Sequence, residues 1–176
     1  MTRRILTRTI AAAILVSSIV SLGGAAGAKP NASPHIITGQ DALYATMDTS
    51  NGTLYYFWKT AGLGNGGSGF IRLKGTANVD VTCRKNNGGT YRDNRPLLRI
   101  NEHDIYADRY GNATAPTGGD ALTRPNAICN KGGYPVGTGS VTWTDMVVEL
   151  YPSTNHSTPY DVETISGSFT YTFTSP

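Results

Sequence analysis

Apolar and polar residues alternate with a period of two along most of the chain beyond residue 40, and hardly anywhere at the three-and-four spacing of an amphipathic helix. Ala77, Val79, Val81 and Cys83 interleave with Asn78, Asp80, Thr82 and Arg84, which predicts a half-buried strand with the first set inward. Ile165, Gly167, Phe169, Tyr171 and Phe173 interleave in the same way with Ser166, Ser168, Thr170, Thr172 and Thr174. Between Phe70 and Lys74, the residues Phe70, Arg72 and Lys74 share one face and Ile71 and Leu73 the other. Thr53 to Lys59 reads TLYYFWK, rich in the aromatic residues that suit a pleated surface. Ala42 to Met47 is a short further candidate. Leu97 to Tyr106 is another, interrupted at the polar pair Asn101-Glu102. Val141 and Trp143 lie in one phase and Met146, Val148 and Leu150 in the other, so a bulge is expected near Thr144-Asp145.

About seven short strands separated by Gly, Pro and Asn turns predict an all-β chain. The expected form is a single antiparallel β-sandwich, immunoglobulin-like or jelly-roll, over residues 41–176. Two stretches, 85–96 and 107–125, carry no strand pattern and are expected to be long loops. Both fall between Cys83 and Cys129. Gly64 to Gly69 reads as a hairpin turn.

The first 28 residues have a different character. Arg3, Arg4 and Arg8 precede an apolar run from Ile10 to Leu22, and Ala26-Gly27-Ala28 supplies a small-residue cleavage pattern. This predicts a signal peptide over residues 1–28, a mature chain starting at Lys29, and a short flexible lead over 29–40. The apolar run is short for a membrane span, where about 20 residues are needed. Arg3-Arg4 suits either a general secretory or a twin-arginine signal. Of the 15 Lys and Arg, three belong to the leader, which leaves 12 bases against 12 acids. That balance gives no reason to expect a nucleic acid or an anionic membrane as partner. Two cysteines in an exported chain predict a Cys83–Cys129 disulfide and a secreted, extracellular protein.

Candidate chemistry follows from what the strands display. Tyr55, Tyr56, Phe57 and Trp58 are consecutive, so each face of that strand receives two of them. Phe57 has no polar atom and suits the core. Tyr56 and Trp58 carry donors that favour a wet surface, where they would stack on sugar rings. The face carrying Tyr56 and Trp58 is therefore the first candidate for carbohydrate binding, with Trp143 the second.

Other motifs fit less well. Gly62-Leu63-Gly64-Asn65-Gly66-Gly67 matches a dinucleotide fingerprint in letters, but no helix follows to hold a pyrophosphate. Asn101-Glu102-His103-Asp104 with Asp108 lacks zinc-ligand spacing and the acidic ladder of a calcium loop. An irregular calcium site there stays open. No nucleophile-elbow pattern surrounds any serine. No cofactor, metal ligand or catalytic residue is predicted.

Ala61-Gly62-Leu63-Gly64-Asn65, Val81-Thr82-Cys83 with Asn86-Asn87-Gly88-Gly89, and a later Cys129 stand ahead of the strands around Trp143 and Gly167-Ser168-Phe169-Thr170. This order resembles a group of small exported proteins of high-GC Gram-positive bacteria with no assigned function. The resemblance covers roughly Thr53 to Phe173 and implies no catalytic residues. The leading expectation is a non-enzymatic exported protein that binds an extracellular glycan or acts in surface adhesion, with a cell-surface protein as the other partner class. Two alternatives are a small secreted hydrolase acting on polysaccharide or peptide, and an extracellular protease inhibitor presenting residues 85–96.

Overall fold

The computed structural model describes residues 33–125, 128–130 and 132–175. The expected signal peptide, residues 1–28, lies outside the described residues. Every element among those described is a strand, and all pairings are antiparallel. In chain order they are β1 (His35–Ile36), β2 (Tyr44–Met47), β3 (Leu54–Phe57), β4 (Lys59–Ala61), β5 (Ser68–Arg84) and β6 (Thr90–Tyr106). There follow β7 (Ala113–Thr114), β8 (Asp120–Leu122), β9 (Tyr134–Pro135), β10 (Gly137–Pro152), β11 (Asp161–Ile165) and β12 (Phe169–Ser175).

The main sheet is built on β5. One side of it pairs with β6 over the full 17 residues of each strand, and the other pairs with β10. β10 in turn carries β12 along its first half and β11 along its second. Two small sheets, β2-β3-β8 and β1-β4-β7, meet at Trp58, which separates β3 from β4. Their inward residues, among them Ile36, Leu54, Tyr56, Trp58 and Leu122, join Ile71, Leu73, Val79, Val81, Trp143, Met146, Val148 and Leu150 of the main sheet in one buried cluster.

The period-two pattern in β5 keeps its expected phase, and the C-terminal pattern does so from Phe169 onward, whereas Ile165 ends β11 and Gly167, at a φ of 112°, lies in the turn between β11 and β12. The expected bulge is present too: pairing of β10 with β5 slips between Thr144 and Val147, and Asp145 adopts a positive φ of 50°. The extra residue lets Val141 and Trp143 before it, and Met146, Val148 and Leu150 after it, all face inward. Cys83 and Cys129 form the disulfide, with Cα atoms 6.0 Å apart.

Four expectations need correction. Residues 85–96 are not a loop: the chain turns within Lys85 to Gly89, where Lys85 N–H donates to the Gly89 carbonyl at 2.7 Å, and β6 begins at Thr90. Nor does β6 break at Asn101-Glu102. The inward Asn101 amide donates to the Ala121 carbonyl at 3.1 Å, so a polar residue facing inward is satisfied and the strand runs on. Residues 107–125 contain β7 and β8, which complete the small sheets. His35 and Ile36, placed by sequence in a flexible lead, pair with Ala61 and Thr60.

Candidate functional site

The phase of β3 is the reverse of the one expected. Leu54, Tyr56 and Trp58 point inward, while Tyr55 and Phe57 point outward. Tyr56 and Trp143 are 0% exposed and Trp58 2%, so none of the three presents a stacking face. Each polar atom has found a partner inside the protein. Tyr56 donates its hydroxyl to the Lys74 carbonyl at 2.6 Å. Trp58 donates its indole N–H to Asp120 Oδ2 at 2.6 Å, and Trp143 donates to the Gly52 carbonyl at 2.9 Å. A buried donor with a built-in acceptor needs no water. Burial also pushes the Tyr56 hydroxyl well above the ordinary tyrosine range.

The inversion places other aromatic rings on the outside. Phe57 lies opposite Tyr44 in the β2–β3 pairing, and the two rings stack with centroids 4.6 Å apart and planes 7° from parallel. Tyr55 follows on the same outward face, between Thr46 and Ala121. The stacked pair borders a shallow hollow of about 210 Å³ whose lining includes Asp41, Lys59 and Thr114, with Trp58 also contributing. Asp41 and Lys59 are exposed, so an acid, a base and a hydroxyl rim an aromatic wall. Tyr44, Asp41, Lys59 and Thr114 were not singled out from the sequence. Only the outward phase of Tyr44 in β2 would have marked that residue.

The outer face of the main sheet carries a charged network. Arg72 lies directly between Glu102 on β6 and Glu149 on β10. It bonds Glu102 at 2.7 Å and Tyr151 Oη at 2.9 Å, and Tyr151 donates to Glu149 at 2.7 Å. Lys74 completes the set, 2.5 Å from the other Glu149 oxygen. Burial raises the Glu149 carboxyl, but bonds from Lys74 and Tyr151 and the charges of Lys74 and Arg72 outweigh it and hold the group below its ordinary value. Tyr151 is raised by burial and by its bond to Glu149. His156, in the segment between β10 and β11, stacks on Phe70 with ring centroids 3.7 Å apart and screens that ring from solvent. Both Glu149 oxygens are occupied, which suits a clasp between strands and leaves no free base.

Two further hollows flank these surfaces. One of about 350 Å³ is lined by Asp80, Arg92, Ser140 and Thr172, and Arg92 already grips Asp80 at 2.7 and 2.6 Å. The other, about 590 Å³, lies between β2 and the β11–β12 edge and includes Leu43, Glu163, Ile165 and Phe169. Each of the three hollows contains a single carboxylate.

The histidine-acid segment is dispersed by the strand. His103 faces inward, its Nε2 3.5 Å from Asp120, whereas Asp104 is exposed on the opposite face. Asp108 accepts from the Tyr110 and Asn112 amides in a turn, and these bonds lower its carboxyl. Among the described residues, no three His, Cys, Asp or Glu side chains gather as a metal site. No family model matches the chain, and no curated protein matches it.

Proposed function

We propose that this chain is an exported, non-enzymatic β-sandwich protein that binds carbohydrate on the outward face of its small sheets. The observation that carries this reading is the Tyr44–Phe57 stack beside the hollow rimmed by Asp41, Lys59 and Thr114. Sugar rings present an apolar C–H face and a polar hydroxyl edge. An aromatic wall with an acid, a base and a hydroxyl at its rim offers a partner to each. The stacking surface thus passes from Tyr56 and Trp58 to Tyr55 and Phe57 of β3 and Tyr44 of the neighbouring β2. The single carboxylate in each hollow supports binding over glycoside hydrolysis, which ordinarily uses a pair. The disulfide supports an oxidising, extracellular destination. The resemblance to small exported bacterial proteins agrees with it.

Retention on chitin, cellulose and peptidoglycan tests the reading. The wild-type chain is expected to be held by at least one of them without releasing reducing ends. Tyr44→Ala and Phe57→Ala should abolish retention, and Tyr106→Ala, at an exposed position on another strand, should not. Retention unchanged by the first two substitutions would move the site elsewhere. Reducing-end release would overturn the non-enzymatic assignment.

A further inference from the structure

We infer that the free edge of β6 joins two copies of this chain, antiparallel about Leu98, into one continuous sheet. This rests on the edge alone and is independent of carbohydrate binding. The ladder between β5 and β6 fixes which backbone groups of β6 face outward. It is bracketed by the Lys85–Gly89 bond at 2.7 Å and the Ala107–Gly67 bond at 2.8 Å, in the same register as the pairs between. In an antiparallel ladder, bonded residues alternate with residues whose N–H and C=O point the other way. The odd-numbered residues of β6 therefore bond to β5, and the even-numbered ones, Arg92 to Asp104, direct their backbone groups away from it. Among the described residues no strand pairs with that side.

A long unpaired edge is a template for another strand. The side chains of the even positions say which strand fits. Leu98 is 61% exposed and Ile100 50%, with exposed Pro96 beside them, so the middle of the edge is apolar. Arg92 lies towards one end, and Glu102 and Asp104 towards the other. A second copy laid antiparallel with Leu98 on the two-fold axis places Leu98 against Leu98 and Pro96 against Ile100. It also places Asn94 against Glu102 and Arg92 against Asp104. Asp104 has no ion-pair partner among the described residues, so the joint would supply one. Arg92, which holds Asp80, would then lie between two carboxylates. Such a strand is complementary to its own antiparallel copy, as a two-fold interface requires.

Pro96 lacks an N–H at one outward position, which removes one ladder bond from each copy and leaves the Leu98 pair intact. The inward arginines do not obstruct the edge. Arg95 holds Asp93 and the Ile128 carbonyl, and Arg99 donates to the Thr123 carbonyl, all on the core side. An isologous joint also closes on itself, so it yields a dimer and no longer polymer.

Sedimentation of the exported chain over a concentration series should show a monomer–dimer equilibrium and nothing larger. Asp104→Arg should weaken the dimer by about tenfold or more, and Arg92→Asp combined with Asp104→Arg should restore it. Leu98→Cys should cross-link two copies on air oxidation, since across the axis the two Cα atoms of such a bonded pair are about 5.5 Å apart. Ile100→Cys, which faces Pro96, should not. Circular dichroism and the intact Cys83–Cys129 bond would confirm that each variant is folded. A monomer at every concentration, an open-ended series of oligomers, or cross-linking by Ile100→Cys equal to that by Leu98→Cys would each overturn the inference.

Discussion

The indole nitrogen of Trp58 and Oδ2 of Asp120 are 2.6 Å apart in the interior, where the tryptophan is 2% and the aspartate 7% exposed. The bond reaches from the break between β3 and β4 to the first residue of β8, so it fixes how the small sheets close over the main one. The same carboxylate oxygen lies 3.5 Å from His103 Nε2. Trp58→Phe removes the donor and keeps most of the apolar volume. It should destabilise the protein by roughly 1–3 kcal/mol, the range for leaving a buried acceptor unpaired. Trp58→Ala should cost about 3–5 kcal/mol. Urea unfolding measures both, and a loss within about 0.5 kcal/mol for either would mean that the bond is not structural.

Gly75 offers a second test. A Cβ built there would sit 2.9 Å from the Tyr56 hydroxyl, 3.2 Å from Leu122 and 3.4 Å from Trp143. Gly75→Ala should therefore cost about 1–3 kcal/mol through overcrowding. In a Tyr56→Phe background the nearest obstacle is gone, so the same change should cost less. Strict additivity of the two substitutions would argue against a shared contact.

Acid titration isolates Glu149. Its folded-state value lies below the ordinary 4.5, so its stabilisation is present above that pH and is lost as pH falls through the folded value. Glu149→Gln should destabilise the protein at pH 7 by roughly 1–3 kcal/mol and leave Lys74 without its counter-charge. The gap between variant and wild type should narrow below about pH 4.5, because the wild type then loses the same charge. A gap that stays constant down to pH 2 would mean that the carboxylate charge contributes nothing.

Removing both cysteines as Cys83→Ala with Cys129→Ala should lower stability by about 2–4 kcal/mol and leave the strand content unchanged by circular dichroism. Equal denaturant midpoints would show that the segment around Cys129 is held by other contacts, such as the bonds of Asp93 to Asn130 N–H and of Tyr91 to the Asn130 carbonyl.

What the sequence discloses and what it conceals divide along one physical line. β5, β12 and the bulge in β10 were legible because their faces differ sharply in polarity, and alternation carries that difference directly. β3 was misread because both its faces are aromatic. The choice between them was made by acceptors remote in sequence: Asp120 for Trp58, the Lys74 carbonyl for Tyr56 and the Gly52 carbonyl for Trp143. β6 was half seen for the same reason. Its inward residues Asp93, Arg95, Arg99, Asn101 and His103 are polar, and their partners come from β8, from the segment between β8 and β9, or from one another. The hollow beside Tyr44 joins residues from β2, β4 and β7 and from the segments between strands, a juxtaposition that no local pattern records.

The disulfide also changes the distances that matter while the chain is folding. Asp80 and Ser140 pair at one end of the ladder between β5 and β10 although about 60 residues separate them, and non-local pairings of that kind make β proteins slow to fold. Once Cys83 and Cys129 are joined, the shortest covalent path between the two strands passes through the sulfur bridge and spans only about 15 residues. Oxidation thus turns a long-range encounter into a nearly local one. A chain that oxidises early should form β10 on β5 sooner than its reduced counterpart, and its unpaired strands should spend less time open to aggregation.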